Sequence, residues 1–527
     1  MIAIPRVVIA APSSGHGKTA VAIGLLSALR SRGLVTAGFK IGPDPLDAGY
    51  LGVAAGRPGR NLDPGLVGDS RLAALFAHGA AGAELAVVEA TMGLYDGLSG
   101  RTDVPSSAQV AESLKAPVVL VVDVAAMGQS VAAVVHGFRV YDELLWLGGV
   151  ILNQVASDRH ERVMREALDD IGVPVLGVLR HRELSGEALP SRGEGLVPVV
   201  HRSSALLRTV RRLGEVITGS VDLERVLALA RSAPEFGVPA WSPTEAVGQW
   251  RTPGPVGLAV TAGAAPAANG EPARSGEFPM VSEPISPAGP WPAAGPVPAD
   301  SVPAGPPPAG PRPLGPVPVG VSTGGRPMIA VTTGYGYPET AELLVAAGAE
   351  VIDVDPLRDE TLPDGVRGLV VGGWLPESYL EELSANGSLN LSVARLAAAG
   401  YPIVAEGTGL PWLCREYDGR PMCGVIDAAG RPSDHLVIGY RDATVRSVSP
   451  VLPAGTRVVG YKQHRGLVSP RAGEQPAWSW PGGAPEGFVS VGLHASYLCL
   501  HWAVVPELAV RMVAAAAGGA GELGLAS

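Results

Sequence analysis

Cysteine is nearly missing from this 527-residue chain, which has only Cys414, Cys423 and Cys499. That excludes a disulfide scaffold, and the spacing fits no zinc motif. A reducing cytoplasm is the expected compartment. Lysine is scarce too: of 40 basic residues only Lys18, Lys40, Lys115 and Lys462 are lysine. An ammonium is a compact point charge and a guanidinium a wide fork, so a lysine kept in such a chain marks a place where arginine does not serve. Long apolar runs are absent. Ala116–Val122 stops well short of the ~20 residues a membrane-spanning helix needs. The opening MIAIPRVVIAAPSSG has no basic lead and breaks at Pro5 and Arg6, so it does not read as a signal peptide. The net charge of −10 leaves no surplus of positive charge for nucleic acid or anionic lipid.

What is present is a globular composition. Hydrophobic residues make up 46% and charged residues 17%, which excludes a chain disordered throughout. Length alone predicts two to four domains. One stretch departs from the rest: between Thr261 and Pro327, 18 of 67 residues are proline and 11 glycine. Proline fixes φ and removes a donor, so this stretch reads as a disordered, partly extended linker. The expected organisation is an N-terminal domain over 1–200, a helical connecting segment over 201–260, the linker over 261–327, a second domain over 328–510 and a flexible tail over 511–527.

Both lobes read as α/β. In the first, Arg6–Ala11, Val35–Lys40, Leu85–Glu89, Val118–Asp123, Val150–Asn153 and Val175–Leu179 are short Val/Leu-rich runs separated by helical patterns. Continuous apolar strands between helices predict a mostly parallel sheet covered on both faces. In the second, Met328–Thr333, Val351–Val354, Gly368–Val371 and Ile403–Ala405 repeat the pattern.

The first strand runs into Ala11-Pro-Ser-Ser-Gly-His-Gly-Lys-Thr19. Pro12 stands where a strict P-loop has its first glycine, but Gly15, Gly17, Lys18 and Thr19 sit at the strand-to-helix junction the motif requires. Glycines let backbone N–H groups turn towards a polyphosphate, and the helix start adds a positive dipole end. Lys18 would reach the β- and γ-phosphates and Thr19 the Mg²⁺ of ATP. Carboxylates gather at the ends of the following strands: Asp44 and Asp47 after the second, Glu89 and Asp96 around the third, Asp123 at the next. Carboxyl ends of parallel strands form the crevice where ligands bind in open α/β sheets, and carboxylates with phosphates suit Mg²⁺.

The segments GFKIGPDPLDAGY, AAGRPGRNLDP, VVEATMGLYDG and APVVLVVDVAAMGQSVAAVVHGF, in that order, resemble the cobyrinic or hydrogenobyrinic acid a,c-diamide synthase family. The resemblance spans nearly all of Arg6–Leu196 and resumes in GGWLPESYLEELSAN and HASYLCLHWA. It implies a P-loop amidoligase domain followed by a class I glutamine amidotransferase-like domain. It further implies ATP- and Mg²⁺-dependent amidation of the a and c acetate side chains of a corrin ring, in cobalamin biosynthesis, with nitrogen from glutamine or ammonia. By the same resemblance Lys18 and Thr19 hold phosphates and Mg²⁺, Asp44 and Glu89 are metal ligands or their neighbours, and Asp47 and Asp96 shape the substrate side or aid proton removal. Lys40 neutralises the γ-phosphate or the substrate carboxylate. Asn153 touches adenine or is a plain strand-end turn residue; the sequence leaves both open.

The second lobe departs from the family pattern. The expected Ala-Glu-Cys-small-Gly-Leu reads Ala405-Glu406-Gly407-Thr408-Gly409-Leu410, so Gly407 stands in the nucleophile's place. Cys499 stands where the partner histidine should follow Ser-Tyr-Leu. Glycine cannot form a thioester, so a lobe that keeps its fold but has lost glutaminase chemistry is expected. Cys414, expected on the helix after the elbow, and Cys423 read as small core residues. The protein would then use free ammonia or ammonia from a separate glutaminase. Three alternatives stay open: a divergent amidoligase acting on another acid, a ParA- or MinD-like ATPase, and a non-catalytic corrinoid-binding protein. The long linker permits docking of the lobes in cis or exchange in a homodimer.

Overall fold

A strand covered on both faces needs apolar side chains on both, which is why the Val/Leu-rich runs of this chain become the strands of its sheets. The computed structural model describes residues 4–97, 105–181, 189, 191–192, 195–196, 204–235, 237–251, 325–375 and 377–518. All of these belong to one compact unit, Met1–Thr252 with Ser322–Ser527. The Pro/Gly-rich segment, from Thr261 as far as residue 324, lies outside the described residues.

The first lobe is built on seven parallel strands: β1 (Arg6–Ala10), β2 (Thr36–Ile41), β3 (Arg60–Leu62), β4 (Leu85–Glu89), β5 (Val118–Asp123), β6 (Leu147–Val155) and β7 (Val175–Arg180). Their order is β3-β2-β4-β1-β5-β6-β7. Between them run α1 (Lys18–Ser31), α2 (Pro45–Ala55), α3 (Pro64–Val67), α4 (Asp69–Gly79), α5 (Ser107–Ser113), α6 (Ser130–Val140) and α7 (Asp158–Asp169). The register sets Ile9 beside Glu89 and Lys40 beside Glu89, so the ends of β1, β2 and β4 meet at one edge. One face of the sheet packs on α1 and on two later helices, α8 (Ser204–Ser220) and α9 (Leu223–Arg231). A further helix, α10 (Pro243–Arg251), follows before the linker.

The second lobe carries a six-stranded sheet in the order Glu350–Val354, Met328–Thr332, Val366–Val371, Ile403–Ala405, Leu493–Ala495, Phe488–Ser490. The last pairing is antiparallel and the others parallel. Helix α11 (Pro338–Ala347) follows its first strand. Two local expectations change. Cys414 does not lie on the helix after the elbow, which ends at Leu413; it begins the strand Cys414–Tyr417 instead. The C-terminal helix, Glu507–Gly518, runs past residue 510, because Met512, Val513, Ala515 and Ala516 are buried along one face of it. Among the described residues no helix is long and apolar enough to cross a membrane.

The lobes share a core. Tyr337, Trp374, Tyr440, Tyr461 and Ala503 of the second lobe pack into the hydrophobic cluster of the first. The Arg60 guanidinium, on β3, bonds Glu339 at 2.6 Å and also forks onto Glu342, both on α11. His78 meets the other oxygen of Glu342 at 2.9 Å. Burial alone would raise the Glu342 carboxyl, but the hydrogen bonds from His78 and Arg60 outweigh it and bring it down to about 2. Tyr440 donates its hydroxyl to both oxygens of Asp63 at 3.0 Å, while Asp63 caps α3 through Gly65 and Leu66. Removing Arg60 leaves the buried Glu339 carboxylate uncompensated, so Arg60→Ala should cost about 3–5 kcal/mol in urea unfolding followed by tryptophan fluorescence. Arg60→Lys should recover only part, since one ammonium cannot fork onto two carboxylates. A loss for Arg60→Ala within about 0.5 kcal/mol, the range of an ordinary surface substitution, would contradict this.

Candidate active site

The P-loop leaves β1 at Ala10 and enters α1 at Lys18. Gly17 lies at φ 94°, and a β-carbon there would sit 2.7 Å from the Asn153 amide nitrogen, so only glycine fits. Asn153 donates that nitrogen to the His16 carbonyl at 3.0 Å, and its oxygen accepts from Gln154 N–H at 2.9 Å. The loop is tied down at a second point, where His16 Nδ1 accepts from the Asp123 backbone N–H at 2.8 Å. Asp123 ends β5, which neighbours β1, and Asn153 lies on β6, the next strand out.

Lys18 donates to the Ser13 carbonyl at 3.0 Å and the Met92 carbonyl at 2.6 Å. Burial lowers its pKa, and nearby Lys40 adds to this. The Met92 contact brings the LYDG segment against the P-loop. Leu94 N–H donates to Ala11 O, and Asp96 accepts from Gly93 N–H at 2.8 Å. Asp96 is exposed at the rim.

Lys40, Asp47 and Glu89 form one ionic cluster. Lys40 Nζ lies 2.9 Å from Glu89 Oε1 and 2.8 Å from Asp47 Oδ2. Burial works against the Lys40 cation, but Glu89 and then Asp47 outweigh it and raise its pKa. Glu89 is completely buried, and desolvation raises its pKa against the pull of Lys40. The Thr19 hydroxyl donates to Glu89 Oε1. Glu89 Oε2 has no hydrogen-bond partner among the described residues. Asp44 caps α2 by accepting from Leu46 N–H at 2.8 Å. Burial, and then Asp47, push its carboxyl up to about 7. Lys18, Thr19, Lys40, Asp44, Asp47 and Glu89 therefore converge on one crevice, with Asp96 at its edge. Asn153 lies beneath the loop with both ends of its amide engaged. Among the described residues no group of three or more His, Cys, Asp or Glu forms a ready-made metal cage.

Sequence reasoning missed Asn61, inside the RNLDP segment. Its amide donates to Gly42 O at 2.7 Å and Asp44 O at 2.8 Å, fixing the loop that carries Asp44. The motif flagged the position without telling its task. His16 was passed over because the P-loop pattern leaves its position open.

At the second lobe's elbow Gly407 keeps a positive φ of 50°. A β-carbon there would meet the Gly373 carbonyl at 2.1 Å and the Cys499 sulfur at 2.5 Å. That carbonyl accepts from Thr408 N–H at 3.0 Å, from the Thr408 hydroxyl at 3.1 Å and from the Cys499 thiol at 3.7 Å. The backbone N–H after the elbow, a natural oxyanion donor, is thus already engaged. Burial raises all three thiols, Cys414 to about 12. None is a ready thiolate. Glu406 accepts from Trp502 Nε1 at 2.9 Å and Leu500 N–H at 3.2 Å, and burial lifts it to about 7. A cavity of about 740 Å³ runs between the lobes, lined among others by Gly52, Val53, Gly59, Gly372, Glu406 and Trp502.

Fold and site define a two-lobed protein: a P-loop nucleotide-binding lobe joined to a glutamine amidotransferase-like lobe. Family models agree. Residues 7–196 match the CobQ/CobB/MinD/ParA nucleotide binding domain and residues 333–504 the CobB/CobQ-like glutamine amidotransferase domain. The chain is 48% identical to the hydrogenobyrinate a,c-diamide synthase of Streptomyces coelicolor, with 97% of each chain covered. It is 41% identical to the protein of the same name from Thermobifida fusca, again with 97% of each covered. It is 33% identical to the cobyrinate a,c-diamide synthase of Gloeobacter violaceus over 96% of each. The chain belongs to the hydrogenobyrinate and cobyrinate a,c-diamide synthase family.

The crowding at position 407 generates a prediction. Gly407→Cys alone should release no more glutamate from glutamine than the wild type, because Gly373 O and Cys499 Sγ fill the space its side chain needs. A coupled glutamate assay reads this, and a clear gain from the single substitution would contradict the geometry.

Proposed function

We propose that this protein uses ATP and Mg²⁺ to amidate the a and c acetate carboxylates of hydrogenobyrinic or cobyrinic acid in cobalamin biosynthesis, in the cytoplasm. We further propose that its nitrogen is ammonia, free or delivered by a separate glutaminase. The observation that carries the reading is the cluster of Thr19, Lys40, Asp47 and Glu89 beside the P-loop. The near-full-length likeness to enzymes of that name supplies the substrate class.

Mg²⁺ fits the residues present, because Glu89 is fully buried with one oxygen unpartnered and the Thr19 hydroxyl is held against the same carboxylate. Thr19 and Glu89 would hold the ion, with Asp44 at the rim. When bound, it supplies charge neutralisation for the transferring phosphoryl group.

The protein's own groups do the rest. P-loop amides and Lys18 cradle the phosphates. A substrate carboxylate oxygen forms a bond to the γ-phosphorus as the bridging P–O bond breaks and ADP leaves. The product is an acyl phosphate, which makes a poor acyl donor into a good one. Ammonia then forms the C–N bond, the C–O bond to phosphate breaks, inorganic phosphate departs and one proton is released. Asp47 or exposed Asp96 accepts that proton. Lys40 holds Glu89 and Asp47 in place through its two ion pairs, and Asn153 braces the P-loop. The interlobe cavity falls within the range of about 300–1,000 Å³ usual for ligand sites.

The test is product mass spectrometry on purified protein with each acid, ATP and Mg²⁺. Amides should form with ammonium, and glutamine alone should yield less than about a hundredth of that rate, as expected when a covalent nucleophile is missing. Lys18→Ala should abolish both ADP release and amide. Efficient use of glutamine without a partner would overturn the ammonia reading. Absence of amide from both acids would overturn the substrate reading.

A further inference from the structure

The loop Gly42-Pro43-Asp44, between β2 and α2, has three successive carbonyls, and each is held. Asn61 takes those of Gly42 and Asp44 from within the first lobe, at 2.7 and 2.8 Å. The middle one, of Pro43, accepts from the Tyr337 hydroxyl at 2.6 Å, and Tyr337 belongs to the second lobe. Tyr337 stands at the cap position of α11 but makes no side-chain capping bond; its side chain crosses to the other lobe instead. It is 5% exposed and packs in the first lobe's core.

The ring is held from behind as well. His501, itself fully buried, stacks on it with centroids 4.6 Å apart and planes 26° apart. His501 follows Cys499 by two residues, on the segment that in this family completes the glutaminase pair. The stretch leading to Tyr337 is tied to the elbow too: Trp374 N–H bonds Tyr335 O at 3.1 Å, and Gly372 lies against that same carbonyl. A continuous set of contacts therefore joins the altered elbow to the residue before Asp44.

We infer that Tyr337 is a positioning residue for the ATP site: through Pro43 it sets where Asp44 stands, and this is the task that the second lobe keeps. The inference rests on the reading of Asp44 as part of the Mg²⁺–ATP crevice. A hydroxyl at 2.6 Å on a buried carbonyl fixes one atom of the loop, and Asn61 fixes its two neighbours. With the middle hold gone, the loop pivots about the Asn61 bonds and Asp44 moves. Other interlobe bonds, such as Tyr440 to Asp63, join the lobes without touching this loop.

The test compares full-length wild type with Tyr337→Phe and Tyr440→Phe. Tyr337→Phe keeps the ring, its stacking on His501 and its packing, so the variant should fold, which a melting curve checks. With ammonium as nitrogen source, kcat should fall about tenfold to a hundredfold, as expected for a displaced catalytic group, with the KM for ammonium unchanged. In a calorimetric titration without turnover, binding of the β,γ-imido analogue of ATP should need a several-fold higher magnesium chloride concentration. Tyr440→Phe should leave both readings near wild type. The inference is overturned if Tyr337→Phe matches wild type in magnesium-dependent nucleotide binding, or if Tyr440→Phe shows the same losses, since the effect would then be general loosening of the lobes. If wild type makes no amide from any nitrogen source, the proposed function fails while the calorimetric comparison still decides the role of Tyr337.

Discussion

A carboxylate with no exposed surface is held in the first lobe by one ammonium and one hydroxyl. Glu89 ends a central strand, where burial raises its pKa against the pull of Lys40. Lys40, on the neighbouring strand in register with it, supplies the compensation and shares it with Asp47. A buried pair of this sort adds little net stability, and losing one partner is costly. Its worth lies in what it presents: a buried carboxylate with one oxygen unpartnered, next to the Thr19 hydroxyl and the P-loop lysine. Lysine rather than arginine suits this point, because a single ammonium fits between two strand ends where a planar fork would not. The rest of the proposed chemistry is arranged around that carboxylate.

The second lobe has taken a different course with the same architecture. Its elbow keeps the left-handed turn at Gly407, yet the Gly373 carbonyl and the Cys499 sulfur fill the space in front of it. Glycine at 407 and the close approach of the Gly373 carbonyl go together, since glycine leaves the carbonyl room and the carbonyl engages the Thr408 N–H. The lobe is also joined to the first lobe's core: Tyr337, Trp374, Tyr440 and Tyr461 pack into it, and Arg60 ties β3 to α11. A chain that discarded the lobe would expose that face and leave the Asp44 loop pinned from one side only.

How much of this could be read from residues in order follows from the range of each interaction. Six of the seven strands of the first sheet announced themselves as short apolar runs, and the P-loop as glycines, lysine and threonine at a strand-to-helix junction, because those signals are local; β3, three residues with Arg60 and Asn61 in it, gave no such signal. The crevice acids were legible because parallel strands deliver their carboxyl ends to one edge. The elbow substitutions were legible because a family pattern made the missing side chain visible. Lys40 was expected to neutralise the γ-phosphate or the substrate carboxylate, and its ion pairs with Glu89 and Asp47 could not be foreseen, because adjacency of β2 and β4 is not written in either strand. Residues 511–518, expected as part of a flexible tail, are helical, and their alanine-rich sequence has no polar boundary to show it. Tyr337 and Pro43 lie 294 residues apart, and Arg60 and Glu339 lie 279 apart, so nothing near either partner hints at the pairing.

In the proposed reaction the first lobe activates a carboxylate by phosphorylation, without help from the elbow, and the carboxylate oxygen records that step. With both carboxylate oxygens of the corrin acid labelled as ¹⁸O, ammonium as nitrogen source and no glutamine, each amide formed should be matched by one inorganic phosphate carrying one ¹⁸O, read by mass spectrometry. Amide accompanied by unlabelled phosphate would rule out the acyl phosphate.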